Sequence, residues 1–172
     1  MSGVPPAPAD ESWRGRFQAM VAEMDYPMFI VTTSAAGRLA GCLVGFVTQT
    51  SIHPQRMLVG ISRRNHTFGV ACAADALAVH FPGADRMDLA ELFGGETGDE
   101  IDKFARCEWR EGPEGLPILA GCPSWAVGTI AERVDIGDHV GFVLDVVAAA
   151  HGRSGPQLGF QAVRGIEAGH AP

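Results

Sequence analysis

The chain has 172 residues, 47% hydrophobic and 19% charged, with 22 glycines, 11 prolines and a net charge of −7. That size and composition suit one globular domain with a real core. The acidic balance argues against a general nucleic-acid role, because neutralising phosphates needs a Lys/Arg surplus on one face, and no run approaches the roughly 20 apolar residues of a membrane span.

In chain order, residues 1–10 are rich in Pro and Ala and carry no Lys or Arg before an apolar stretch, so they are expected to be a disordered leader and not a signal peptide. Trp13, Phe17, Met20, Val21 and Met24 then recur at helical spacing, predicting an amphipathic helix over 11–24 that packs as a lid on the core. Residues 26–33 (YPMFIVTT) form a β-branched run, and Gly37 marks a turn. Residues 38–51 continue as one long strand with bends at Gly41 and Gly45. His53-Pro54 turns the chain into a strand over 56–62, which makes an antiparallel meander. A helix over 67–74, capped by Asn65 or His66, precedes a strand over 76–81. Helices over 85–93 and 99–105 flank a glycine-rich loop, 94–98. Two long strands, 124–134 and 139–149, are joined by a tight turn at Ile136-Gly137-Asp138, and 157–163 reads as a last strand. A long antiparallel sheet must protect its edges, and closure does so best. The expected fold is therefore mainly β (α+β), an antiparallel Greek-key barrel with short peripheral helices over 11–165, followed by a tail over 166–172.

Cys42, Cys72, Cys107 and Cys122 make no CxxC pair and have no His at zinc-finger offset, so no metal site is expected. They read as buried reduced thiols, which implies a reducing, cytoplasmic compartment.

Three constellations carry potential chemistry. Thr48-Gln49-Thr50-Ser51 puts four hydrogen-bonding residues at a strand end. They can meet a planar polar ring, or simply end the strand. Ser62-Arg63-Arg64-Asn65-His66-Thr67 joins a strand to a helix start, where amides, hydroxyls and guanidinium groups favour an anion; a capped helix with solvated arginines is the plainer reading. Gly137-Asp138-His139 delivers an imidazole at the start of a strand, as a proton-active group or an exposed one. No GxSxG elbow supports a serine hydrolase, and the acidic stretch 85–102 lacks calcium-loop spacing. Lys103-Phe104 reads as packing.

These pieces, in this order, resemble the flavin reductase-like family, whose fold is an FMN-binding split barrel. The matching stretches are 26–67, GDEIDKFA at 98–105, and 116–147, from LPILAGCPSW to LDVV. The resemblance implies that Thr48, Gln49, Thr50 and Ser51 meet the flavin ring and ribityl chain. It assigns Ser62, Arg63, Arg64, Asn65 and Thr67 to the phosphate, and His139 to the side where the nicotinamide approaches. It implies an NAD(P)H:flavin oxidoreductase, with FMN or FAD as flavin and NADH or NADPH as reductant. Such a chain works as a homodimer and can serve as the reductase component for a partner monooxygenase. A flavin carrier without a nicotinamide site, and a split-barrel enzyme using a deazaflavin or pyridoxal phosphate, stay open as alternatives. One departure falls on the site itself: Gly45-Phe46 stands where many members carry Asn-Ser.

Overall fold

Runs rich in Val, Ile, Ala and Thr become strands because β-branched and apolar side chains pack well on a pleated, half-buried surface. In the computed structural model, which describes residues 10–152 and 155–169, seven of nine strands form one antiparallel sheet. These are β1 (Phe29–Ala35), β2 (Arg38–Val44), β3 (Val47–Ser51), β4 (Arg56–Ser62), β5 (Ala76–His80), β8 (Trp125–Asp135) and β9 (His139–Ala150), in the order β2-β1-β5-β8-β9-β4-β3. Two three-residue strands, β6 (Trp109–Glu111) and β7 (Pro117–Leu119), make a separate hairpin. The helices are α1 (Asp10–Glu23), α2 (His66–Cys72), α3 (Met87–Gly95) and α4 (Phe160–Val163). No helix among the described residues is long and apolar enough to cross a membrane.

The expected single strand over 38–51 is two strands. β2 pairs with β1 and β3 pairs with β4, so they are the two opposite edges of the sheet. Only Gly45 and Phe46 separate them in sequence. The three Cα steps from Val44 to Val47 span at most about 10 Å, so the edges are forced together at that corner. No hydrogen-bonded ladder joins β2 to β3 among the described pairings. The main apolar cluster lies within the curl, with Val31, Val59, Leu77, Val79 and Phe142 all fully buried.

Other expectations change. The helix at 11–24 forms, but its stripe is not a lid: Trp13, Phe17, Met20 and Met24 are 47%, 57%, 60% and 53% exposed. Periodicity reports which residues share a face and says nothing of what that face meets. The segment 157–163 is not a strand. Pro27 and Gly83 each bridge to it once, at Gly159 and Gln157, and the chain then turns into α4. The helix at 99–105 shrinks to a 3₁₀ turn, Lys103–Arg106, whose first amides bond to the Asp102 carboxylate. All four cysteines are free, yet Cys72 is exposed and Cys107 half-buried. The expected leader lies outside the described residues except for Asp10, the first residue of α1, and 170–172 of the expected tail also lie outside.

His80 locks the hairpin β6–β7 to the sheet. The backbone amide of Leu119 donates to Nε2 (3.1 Å), so that nitrogen carries no proton, and Nδ1–H donates to the Ile30 carbonyl (3.0 Å). Burial lowers its pKa from 6.5 to about 4. The unfolded chain therefore takes up this proton first. The contribution to stability is constant above pH 6.5, falls between 6.5 and 4, and levels off below. The total loss is about 3 kcal/mol. His80→Gln keeps a donor and an acceptor without a titrating ring. Urea midpoints measured between pH 7 and 4.5 should fall less steeply for the variant than for the parent, and superimposable profiles would remove His80 from the acid response.

Candidate functional site

The corner where the sheet edges meet is also where the sequence places its turn and cap chemistry. Gly45 is glycine for space, since a Cβ there would lie 2.6 Å from the Tyr26 ring. Phe46 passes over Gly60, whose added Cβ would meet Phe46 Cβ at 3.0 Å, and the Phe46 carbonyl accepts from the Gly60 amide at 2.7 Å. Tyr26 stacks on Phe160 with centroids 4.7 Å apart and a 12° tilt, and Phe46 lies 5.0 Å from the His139 ring. Between these two aromatic pairs opens a cleft of about 180 Å³, with Ser62, Asn65 and His139 on its polar side.

Ser62 and His139 face each other as ladder partners across β4 and β9. The β8–β9 turn supplies the acid next to His139. Asp138 accepts from Nδ1 at 2.6 Å, and this hydrogen bond holds the Asp138 carboxyl below the usual range. A carboxylate can only accept, so Nδ1 carries the proton and the ring is held from one side. Asn65 caps α2 through a bond from the Thr67 amide to its side-chain oxygen (2.9 Å).

A second cavity of about 220 Å³ shares Met28, Leu43, Asn65 and Phe160 with the first and continues to His66, Thr97 and Gly98. Together they reach the range of small-molecule sites, about 300–1,000 Å³. At its far end His66 Nδ1 lies 2.7 Å from the Asp99 carboxylate, which Thr97 also supports, so the glycine loop is tied to the start of α2. The floor is rigid. Lys103, 6% exposed, donates to the carbonyls of Gly41 (3.2 Å) and Phe93 (3.1 Å). Burial lowers the pKa of this ammonium and pushes the neighbouring Cys42 thiol up to about 11.

The structure thus gathers Ser62, Asn65 and His139 on one cleft and disposes the other candidates differently. Arg63 turns away to the β8–β9 turn, with Nη2 3.1 Å from Asp135 and Nε 3.3 Å from the Gly137 carbonyl. The Arg64 amide bonds to the Ser62 hydroxyl (3.3 Å), and its exposed guanidinium acts on Asp138 through charge. Thr67 is buried against the Cys42 thiol. The polar run 48–51 is not beside the junction. Thr48 pairs with Leu58 and Ser51 with Arg56, at the end of β4 remote from Ser62. Thr48 and Gln49 line a separate groove with Phe29, Met57 and Phe81; Thr50 is exposed and Ser51 half-exposed on the same strand. Tyr26 and Phe160 escaped the sequence reading, and His66 entered it only within the run 62–67. Gly45 and Phe46 had a signal, the departure from the usual Asn-Ser, whereas Tyr26 and Phe160 meet only through the fold.

The model of the flavin reductase-like domain matches residues 21–166. An FMN reductase (NADH) RutF from Ancylobacter novellus is 29% identical over 88% of this chain and 82% of its own. The 4-hydroxyphenylacetate 3-monooxygenase reductase component of Pseudomonas aeruginosa is 27% identical over 76% and 77%. Among solved structures, a flavin reductase domain protein from Arthrobacter sp. FB24 superposes with a TM-score of 0.77 at 25% identity, covering 85% of this chain and 89% of that one.

The cap gives the site its first test. Asn65→Ala should cost about 1 kcal/mol of stability, whereas Asn65→Asp, an equally good cap, should cost almost nothing. Thermal melts of the two variants should therefore separate, and equal losses would show that capping is not what Asn65 contributes.

Proposed function

The chain belongs to the flavin reductase-like domain family, and from that premise we propose that it is an NAD(P)H:flavin oxidoreductase, moving hydride from NADH or NADPH to FMN or FAD. The observation that carries the reading is the corner cleft, where flat aromatic walls and a polar rim meet beside a second cavity that shares four of its lining residues. The donor set fits a flavin. Phe46 and the Tyr26–Phe160 stack offer faces to a planar ring, and Ser62, Asn65 and Arg64 offer a hydroxyl, an amide and a cation to its phosphate tail. When bound, the flavin supplies N5 as the hydride acceptor.

The protein's part is position. Asp138 and Phe46 hold His139 at the mouth of the cleft, where we place it on the nicotinamide side. Arg63 braces the β8–β9 turn that carries both residues. The loop tied by His66 and Asp99 covers the far end. No strong acid or base is required, and proximity of two rings is the main lever. Thr48, Gln49, Thr50 and Ser51, which the family resemblance assigns to the ring, follow Phe46 along β3, with Thr48 and Gln49 on the neighbouring groove; Arg63 and Thr67 act on the phosphate as supports of the junction.

The finer readings follow. The edge strands meeting at Gly45–Phe46 fit a split barrel, and the family relation fits a homodimer. The name of the Pseudomonas relative supports a partner monooxygenase that consumes the reduced flavin. Four free cysteines fit a reducing, cytoplasmic setting.

The direct test is anaerobic mixing of the protein and FMN or FAD with NADH or NADPH. Catalysed bleaching of the oxidised-flavin absorbance is expected, and flavin bound without bleaching by either nucleotide would leave a carrier in place of an enzyme. His139→Ala should lower the hydride-transfer rate by roughly tenfold to a hundredfold with a smaller change in flavin affinity. Asn65→Asp, whose cap is intact, should weaken FMN about tenfold, 1.4 kcal/mol, by placing a carboxylate at the phosphate, and should spare riboflavin. Equal effects on the two flavins would move the phosphate elsewhere.

A further inference from the structure

The proposed reaction needs two planar rings face to face, with reacting atoms about 3–3.5 Å apart. The corner cleft proper is about 180 Å³, smaller than the usual small-molecule site. Stacking a second ring on the first therefore requires one aromatic wall to give way, and the two walls are built differently.

The Tyr26–Phe160 wall is pinned. The Phe160 amide donates to the Tyr26 carbonyl (2.9 Å), and the Met28 amide donates to the Leu158 carbonyl (2.8 Å). The Gln161 amide donates to the Asp25 carboxylate (3.0 Å). The two rings stack 4.7 Å apart, and Tyr26 also fills the space beside Gly45. Moving either ring breaks the stack within a backbone that is tied on both sides of it.

Phe46 is held differently. Its carbonyl accepts from the Gly60 amide, which fixes its backbone, but its side chain is 55% exposed. Its ring meets His139 at a 57° tilt, short of a stack. Beside it lies a strip without side chains. Gly60 and Gly141 are ladder partners across β4 and β9, two residues along from Ser62 and His139 and so on the same face. Leu58 and the half-exposed Ile136 border this strip. Rotation about its own side-chain bonds carries Phe46 from the mouth of the cleft onto the strip with no backbone change, a motion that exposed side chains make in picoseconds to nanoseconds.

We propose that Phe46 is a rotameric gate that sets the affinity for the reductant. In the resting protein its ring covers the flavin face beside His139, and it yields that position to the dihydronicotinamide ring of NADH or NADPH. Only the open fraction binds the nucleotide, so a cover favoured about tenfold raises the apparent Kd about tenfold. The inference rests on the oxidoreductase reading above and adds the residue that decides when the nucleotide can stack.

The test is anaerobic single-turnover reduction of the full chain saturated with FMN, followed at the flavin absorbance over a range of NADH concentrations, or of NADPH where that is the faster reductant. The half-saturating concentration should fall about tenfold in Phe46→Ala, fall less in Phe46→Leu and rise in Phe46→Trp. The limiting rate should change less, because Asp138 still holds His139. FMN affinity is measured separately, without nucleotide, so that loss of a stacking face is not mistaken for gating. Gly141→Ala puts a methyl group on the strip without touching the cleft lining. It should raise the half-saturating concentration severalfold and leave FMN affinity unchanged. A half-saturating concentration that is equal in all the Phe46 variants, or that rises in Phe46→Ala, overturns the gate and leaves Phe46 a fixed wall. An unchanged value in Gly141→Ala overturns the strip as the open position of the ring. A parent that binds FMN and is reduced by neither nucleotide refutes the oxidoreductase reading itself, and the gate with it.

Discussion

The constraint on which the rest of the structure depends is the two-residue link at Gly45–Phe46. It joins β2 to β3, the two edges of a seven-stranded sheet. Edges are ordinarily kept apart, shielded or closed by pairing. Here the chain brings them together and the ladder does not close, so a seam opens where the sheet would otherwise be continuous. Tyr26 fills the space beside Gly45, and Phe46 crosses to Gly60 and His139. The cleft is what remains between those rings. A larger residue at Gly45 would displace Tyr26 from its stack with Phe160 and so act on the far wall as well as the near one.

How far the sequence could be read depended on whether the governing signal was local. β1, β4, β5, β8 and β9 were legible because apolar and β-branched runs bounded by Gly and Pro specify strands over short distances. The Asn65 cap and the turn before His139 were legible for the same reason. The division of β2 from β3 was not. A bend at Gly45 was visible, but sequence cannot say that the chain beyond it joins the opposite edge. The same limit applies to where Thr48 to Ser51 lie. Alternation tells which residues share a face, while the register against β4, which sets the end of the strand facing Ser62, is tertiary information. β6 and β7 are too short to carry a pattern, and α4 follows a stretch that makes single bridges like a strand before it turns.

Charge at the corner is organised as pairs, although the chain is acidic overall. Arg63 meets Asp135, His139 meets Asp138, and His66 meets Asp99. All three carboxylates are largely exposed, so these contacts add little stability; what they fix is direction. Asp135, lowered first by the Gly137 amide and then by Arg63, shapes the β8–β9 turn from within. Of the two arginines, Arg63 braces that turn, while the Arg64 amide takes the Ser62 hydroxyl and its guanidinium acts on Asp138 through charge.

Beneath this polar rim the structure spends its strongest restraints on a layer that meets no solvent. Lys103 reaches in from its 3₁₀ turn and donates to carbonyls of β2 and α3, binding the edge strand to the helix behind it. An ammonium is costly to bury without a carboxylate partner, and here two carbonyl oxygens offset part of that cost. The Cys42 thiol beside it, raised to about 11, stays protonated and serves as a small apolar filler. A floor held in this way cannot follow a ligand. Adjustment is left to the parts built from turns and short links, namely Gly45–Phe46, the β8–β9 turn and the loop at 94–98. That division explains why the residues suited to recognition sit on connections, while the strands that deliver them stay fixed.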